Sequence, residues 1–178
     1  MRGPDGALTD EHIPTLDEVL EILARDPRIE PWVELKSDTD GKPYPGLVAR
    51  AAEALDRHDL TQRAALHSFD ISVVGEIRDR APALRRLISV NADWAAQQGG
   101  IAALLTTVAD LVDIVGIHHA LYEAEFETIS ALRPADACSV WTLNDPDLIR
   151  RWITRNPAFV VSDDPVLVRH LLAENGPS

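Results

Sequence analysis

The chain has a single cysteine, Cys138, among 178 residues. No intramolecular disulfide can form, and no cluster of thiolate metal ligands. Long apolar runs are also missing, which excludes a helix that spans a bilayer. The first residues, Met1 to Asp10, lack the apolar stretch of a signal peptide. Basic residues are scarce: 17 Lys and Arg face 29 Asp and Glu, for a formal net charge of −12. A surface of that sign repels nucleic-acid backbones and anionic headgroups. An anionic substrate therefore needs a local positive centre. Two nucleotide signatures are absent as well. No G-x-G-x-x-G follows the first strand, and there is no G-x-x-x-x-G-K-[ST]. The lone cysteine fits a reducing cytoplasm, or an exported bacterial protein without disulfides once a leader is removed, and the charge disfavours nucleic acid and membrane surfaces as partners.

What is present is an ordinary globular composition, 46% hydrophobic and 26% charged, on a chain long enough to bury a real core. Thr15-Leu16-Asp17-Glu18 has the Thr-x-x-Glu form of a capping box, and Leu16, Val19, Leu20 and Leu23 follow at helical spacing. From there, short apolar runs alternate with helical periods. The runs are Trp32 to Lys36, Ala64 to Phe69, Leu87 to Val90, Val112 to Ile117, Ala137 to Leu143 and Ala158 to Ser162. Asn91 to Gly100 reads as a polar loop. Such alternation predicts an α/β protein with a parallel sheet and helices packed on it. A doubly wound open sheet and a TIM barrel both satisfy the pattern. A complete barrel takes ~250 residues, so six βα units make an incomplete one.

Trp32-Val33-Glu34-Leu35-Lys36 is the most informative segment. Strand side chains alternate, so Glu34 and Lys36 share one face. In a barrel both charges point inward, near the strand end where such folds build their sites. A metal ion there would satisfy Glu34, and a phosphate would satisfy Lys36. On an edge strand the same pair is an ordinary surface ion pair. His67-Ser68-Phe69-Asp70 ends the second strand: Ser68 can touch a ligand, Asp70 reads as a helix cap, and His67 as a core residue. His118 and His119 follow the fourth strand, and on extended chain only one of two neighbours can face a site. Trp141 closes the fifth strand as a wall over a ligand or as a core residue, while Asn144 caps the next helix or opens its turn. Ser162-Asp163-Asp164-Pro165 reads as a helix start.

In order along the chain, these pieces resemble the glycerophosphodiester phosphodiesterase family. Pro14-Thr15-Leu16-Asp17-Glu18-Val19-Leu20 is similar to its Pro-Thr-Leu-x-Glu-Val-Leu helix, and Val33-Glu34-Leu35-Lys36 to its Ile-Glu-x-Lys strand. Ser68-Phe69-Asp70, Trp141-Thr142-Leu143-Asn144 and Ser162-Asp163-Asp164-Pro165 match three strand ends of that family. The resemblance implies an incomplete (β/α) TIM barrel over residues 1–178, supplying strands three to eight, with 1–12 as a flexible leading segment. It implies metal-dependent hydrolysis of glycerophosphodiesters to glycerol 3-phosphate and an alcohol. It places a divalent metal (Mg²⁺ or Ca²⁺) on Glu34 and the phosphate on Lys36. It makes Trp141 part of the pocket, and His119, rather than His118, the histidine nearest to it.

The family's His-Arg-Gly, Glu-x-Asp and His-Asp motifs are absent from this sequence. They carry its two catalytic histidines and two metal ligands. The expectation is therefore an N-terminally truncated phosphodiesterase with no catalytic residue of its own, inactive alone. Its open barrel edges would be covered by a second copy or by a complementing chain. The alternatives are a non-catalytic relic that binds a phosphate ligand or a partner, and an unrelated open α/β protein.

Overall fold

The structure is a computed structural model and describes residues 12–174. The expectations for Met1 to Asp10 and for the leading segment up to residue 11 lie outside them.

Six strands form one sheet: β1 (Trp32–Glu34), β2 (Ala65–Ser68), β3 (Arg85–Val90), β4 (Ile114–His118), β5 (Cys138–Trp141) and β6 (Phe159–Val160). Every neighbouring pair is parallel, and the spatial order equals the chain order, β1-β2-β3-β4-β5-β6. That order separates the two folds the sequence left open. A doubly wound sheet reverses direction at a switch point, whereas this one never does. With the crossovers of one hand, all the helices fall on one face and the sheet curls away from them. The curl brings the first and last strands together, so that the rings of Trp32 and Phe159 meet edge to face with centroids 4.3 Å apart. The fold is a curled, incomplete parallel barrel.

The helices are α1 (Leu16–Ala24), α2 (Leu47–Arg57), α3 (Ile71–Arg80), α4 (Ala92–Gln97), α5 (Ile101–Thr107), α6 (His119–Ala124), α7 (Phe126–Leu132), α8 (Pro146–Thr154) and α9 (Pro165–Glu174). Local chemistry sets most of their starts. Thr15 and Glu18 form the reciprocal capping box that opens α1. Asp70 accepts from the Ser72 amide at 2.7 Å to open α3. Asp145 accepts from two amides ahead of Pro146, the first residue of α8, and Asp164 does the same for α9.

Two expectations are corrected. The segment 91–100 is not a plain loop: Asn91 accepts from the Trp94 amide at 2.9 Å and starts α4. The helix has six residues, less than two turns, so it carries no readable apolar period. Strand β3 begins two residues earlier than its apolar run. Arg85 and Arg86 are extended, and Asp113 accepts from the Arg86 amide at 2.7 Å. Charged residues at a strand's base are invisible to a hydrophobic pattern.

The apolar half of each strand faces the helices. Leu35 and Leu66 join Leu20, Leu55 and Ile77 in one buried cluster. Ile88, Val90, Val115, Ile117 and Val140 join Leu104, Ile149 and Trp152 in another. Replacing fully buried Leu66 by Ala removes a side chain from between β2 and its covering helices. Urea denaturation should show a loss of about 2–5 kcal/mol. Thr15→Ala should cost only about 1 kcal/mol, the value of a cap.

Candidate functional site

The other half of each strand faces inward, and its residues come together in a cavity of about 440 Å³. Glu34 and Lys36 line it from the C-terminal end of β1, with His67 from β2 and Ser89 from β3. Gly116, Ser139 and Trp141 line it from β4 and β5. Trp32 and Val161 lie on the wall where the curl closes.

The alternation on which the site depends continues past the end of β1. The Leu35 amide donates to the His67 carbonyl at 2.7 Å, which keeps the chain extended. Leu35 is therefore buried under the helices, while Glu34 and Lys36 face the interior together. Their charges pair at 2.8 Å, with the carboxylate side chain 30% exposed and the ammonium 73% exposed. The lysine thus stands at the mouth, tethered by a carboxylate below it.

His67 sits beside Glu34 in the sheet register. Its Nδ1 lies 3.3 Å from Ser89 Oγ. Burial pushes this imidazole below its ordinary value of 6.5. The charge of Glu34 pulls it back up, and that of Lys36 pushes it further down. His67 is the histidine of the cavity, although the sequence reads it as a core residue.

Trp141 forms the wall opposite. Phe69 meets its ring edge to face at 5.7 Å, and His118 does so at 5.0 Å. Its indole Nε1 is buried without a hydrogen-bond partner among the described residues. Of the two adjacent histidines, His118 is therefore the one against Trp141. It closes β4 and caps α6, accepting from the Ala120 amide through Nδ1 at 3.3 Å. His119 is the first residue of α6, and its ring lies beside that of His118 at 4.5 Å. It does not line the cavity. Because the chain turns into a helix there, the two rings do not point opposite ways.

Ser68 also stays outside the cavity. Its hydroxyl donates to the Leu35 carbonyl at 2.8 Å and accepts from the Asp70 amide at 3.2 Å, on the buried, helix-facing side. Asn144 neither caps nor opens α8. Its side chain ties the β5 and β6 loops together, donating to Asp163 at 2.7 Å and accepting from Ser162 and the Asp163 amide.

Among the described residues no group of three or more His, Cys, Asp or Glu side chains is placed to hold a metal ion. Glu34 is the one carboxylate lining the cavity, and it is engaged by Lys36. A hard divalent cation takes six or more oxygens, several of them from the protein, and Glu34 supplies at most two. These residues do not by themselves fit the metal that the family resemblance implies.

The floor residues Ser89, Gly116 and Ser139 escaped notice in the sequence. Each is a small residue inside an apolar strand run, at an inward position of the two-residue period. That interruption was the available signal.

A curled parallel sheet with an acidic, a basic and an aromatic side chain at the C-terminal ends of its strands defines an incomplete parallel barrel with a polar interior. The comparisons make the assignment specific. The model of the glycerophosphoryl diester phosphodiesterase family matches residues 2–167, and the chain belongs to that family. No curated protein matches the sequence. Among solved structures, a candidate glycerophosphoryl diester phosphodiesterase from Silicibacter pomeroyi is 27% identical with a TM-score of 0.74, over 98% of this chain and 61% of that one. A glycerophosphodiester phosphodiesterase from Parabacteroides distasonis is 20% identical with a TM-score of 0.71, over 91% and 65%. An Oleispira antarctica phosphodiesterase, solved with its product sn-glycerol-3-phosphate, is 21% identical with a TM-score of 0.67, over 90% and 61%. This chain thus spans less than two thirds of the length of these structures.

The lowered proton affinity of His67 has a sign. An unfolded histidine binds its proton with the ordinary value of 6.5, so the folded form gives up protonation that the unfolded form keeps. The contribution of neutral His67 to stability is complete above that pH and is lost as pH falls through the lowered folded value. Titration of the imidazole resonances by NMR should place His67 below the ordinary value of 6.5. His67→Gln should flatten the fall in melting temperature over that window.

Proposed function

We propose that the cavity holds the phosphate of a glycerophosphodiester or of its glycerol 3-phosphate product. Lys36 meets the phosphate at the mouth, and Trp141 covers the carbon skeleton. The observation that supports this is the inward-facing pair of Glu34 and Lys36, 2.8 Å apart at the C-terminal end of β1. In a protein of net charge −12, that ammonium is the local positive centre an anion requires. Glu34 orients it. A divalent cation at Glu34 would need further oxygens from beyond the described residues, so no step is derived through one.

The family reaction is hydrolysis, and the cavity is poorly equipped for it. Its one histidine, His67, is neutral near pH 7 and is held by Ser89. Proton transfer by a placed acid and base contributes ~10²–10⁴-fold, and no such pair faces the cavity among the described residues. We therefore propose that this chain alone binds the ligand and turns it over slowly or not at all. Cys138 is buried and free, which suits a cytoplasmic setting.

Isothermal titration calorimetry with glycerol 3-phosphate tests the binding. Lys36→Ala should weaken it about ten- to a hundredfold, the value of one charge-assisted hydrogen bond. Equal affinity in both proteins, or no binding in either, would remove Lys36 from the site. Release of glycerol 3-phosphate from a glycerophosphodiester by the chain alone, at a rate typical of enzymes, would refute the inactive reading.

A further inference from the structure

His67 has a polar atom that the fold does not use. The residue stands on β2 beside Glu34 of β1 and lines the cavity together with Glu34 and Lys36. Its Nδ1 lies 3.3 Å from Ser89 Oγ, and the ring makes no other hydrogen bond among the described residues. One nitrogen is thus held by the protein, and Nε2 is left for a molecule that enters the cavity.

Ser89 decides what Nε2 can offer. A neutral imidazole carries one proton, on one nitrogen or the other. Burial holds the ring in that neutral form. Ser89 is 5% exposed, and His67 Nδ1 is the acceptor its hydroxyl meets among the described residues. A proton on Nδ1 would point at Ser89 Oγ and leave the hydroxyl hydrogen buried without an acceptor, which is the costlier arrangement. When the hydroxyl donates to Nδ1 instead, both groups are satisfied and the ring proton sits on Nε2. The cavity then presents an uncharged N–H. Glu34 and Lys36 already cancel each other at 2.8 Å, so this donor draws an oxyanion without adding a second buried charge.

Resting on the assignment of the phosphate to Lys36, we propose that His67 is a second phosphate-binding residue, donating from Nε2 to a phosphate oxygen of the ligand, and that Ser89 is the positioning residue that fixes its tautomer. An ammonium is a point charge and leaves the phosphate free to turn about it. A ring N–H is directional. Lys36 therefore supplies attraction from β1 and His67 supplies orientation from β2. The sequence reads His67 as a core residue because the serine that aims it lies on another strand.

Long-range proton–nitrogen correlation spectra of the full chain near neutral pH read the tautomer directly, with His67 assigned through its backbone connectivities. The wild-type protein should show His67 protonated at Nε2 and bare at Nδ1. Addition of glycerol 3-phosphate should shift the Nε2 resonance and keep the tautomer. Ser89→Ala should give a mixture of tautomers and bind about threefold more weakly by calorimetry, and His67→Phe, which keeps a ring but no N–H, about tenfold more weakly. A merely structural serine would leave the tautomer unmoved. If a variant does not fold, the wild-type spectra carry the test without it. A ring protonated at Nδ1, or an Nε2 resonance that stays in place while glycerol 3-phosphate binds through Lys36, overturns the role of His67 and leaves the phosphate site standing. If the wild-type protein does not bind glycerol 3-phosphate, the phosphate site falls and the role of His67 with it.

Discussion

A single winding direction governs this molecule. Six parallel strands lie side by side in chain order, so every connection crosses the same face of the sheet. All helices gather on that face, and the sheet curls until Trp32 meets Phe159. The two-residue period of a strand then does the sorting. One set of side chains is pressed against the helices and must be apolar. The other set converges on the curl's interior, where polar groups find each other. Were the sheet wound in both directions, both faces would be covered, and no interior would exist to hold Glu34 and Lys36.

The polar interior is arranged by depth. Lys36 is largely solvated at the mouth, and Glu34 lies below it as its counter-ion. His67 is deeper and loses proton affinity to burial. Ser89, Gly116 and Ser139 line the same cavity without charge. Charge thus declines from mouth to floor, as desolvation demands of groups that lack partners. Hydrolysis asks for an acid, a base and a set of oxygens around a metal, which the described cavity does not bring together.

Much of the scaffold was legible because its signals are local. The apolar runs located all six strands, and Thr15 and Asp70 announced the starts of α1 and α3 through their own side chains. The pairing of Glu34 with Lys36 followed from alternation along one strand. Features that span several strands were harder to see. His67 reads as a core residue until Ser89 and Glu34 are beside it. Gly116 reads as a gap in a strand until two serines are placed around it. Ser68 looked available at a strand end but is used up by Leu35 and Asp70. Helix α4 was hidden by its length, six residues being too few to show a period.

The sequence by itself determined the alternation of strand and helix, the caps, and which residues share a strand face, because each depends on neighbours one to four positions away. It also carried enough ordered motifs to indicate the family. Only the tertiary structure decided that the sheet curls rather than lies open, that His118 and not His119 rests on Trp141, and that three small residues from three strands make one floor. Those outcomes depend on register between segments distant in the chain, and hydrophobic periodicity holds no information about register.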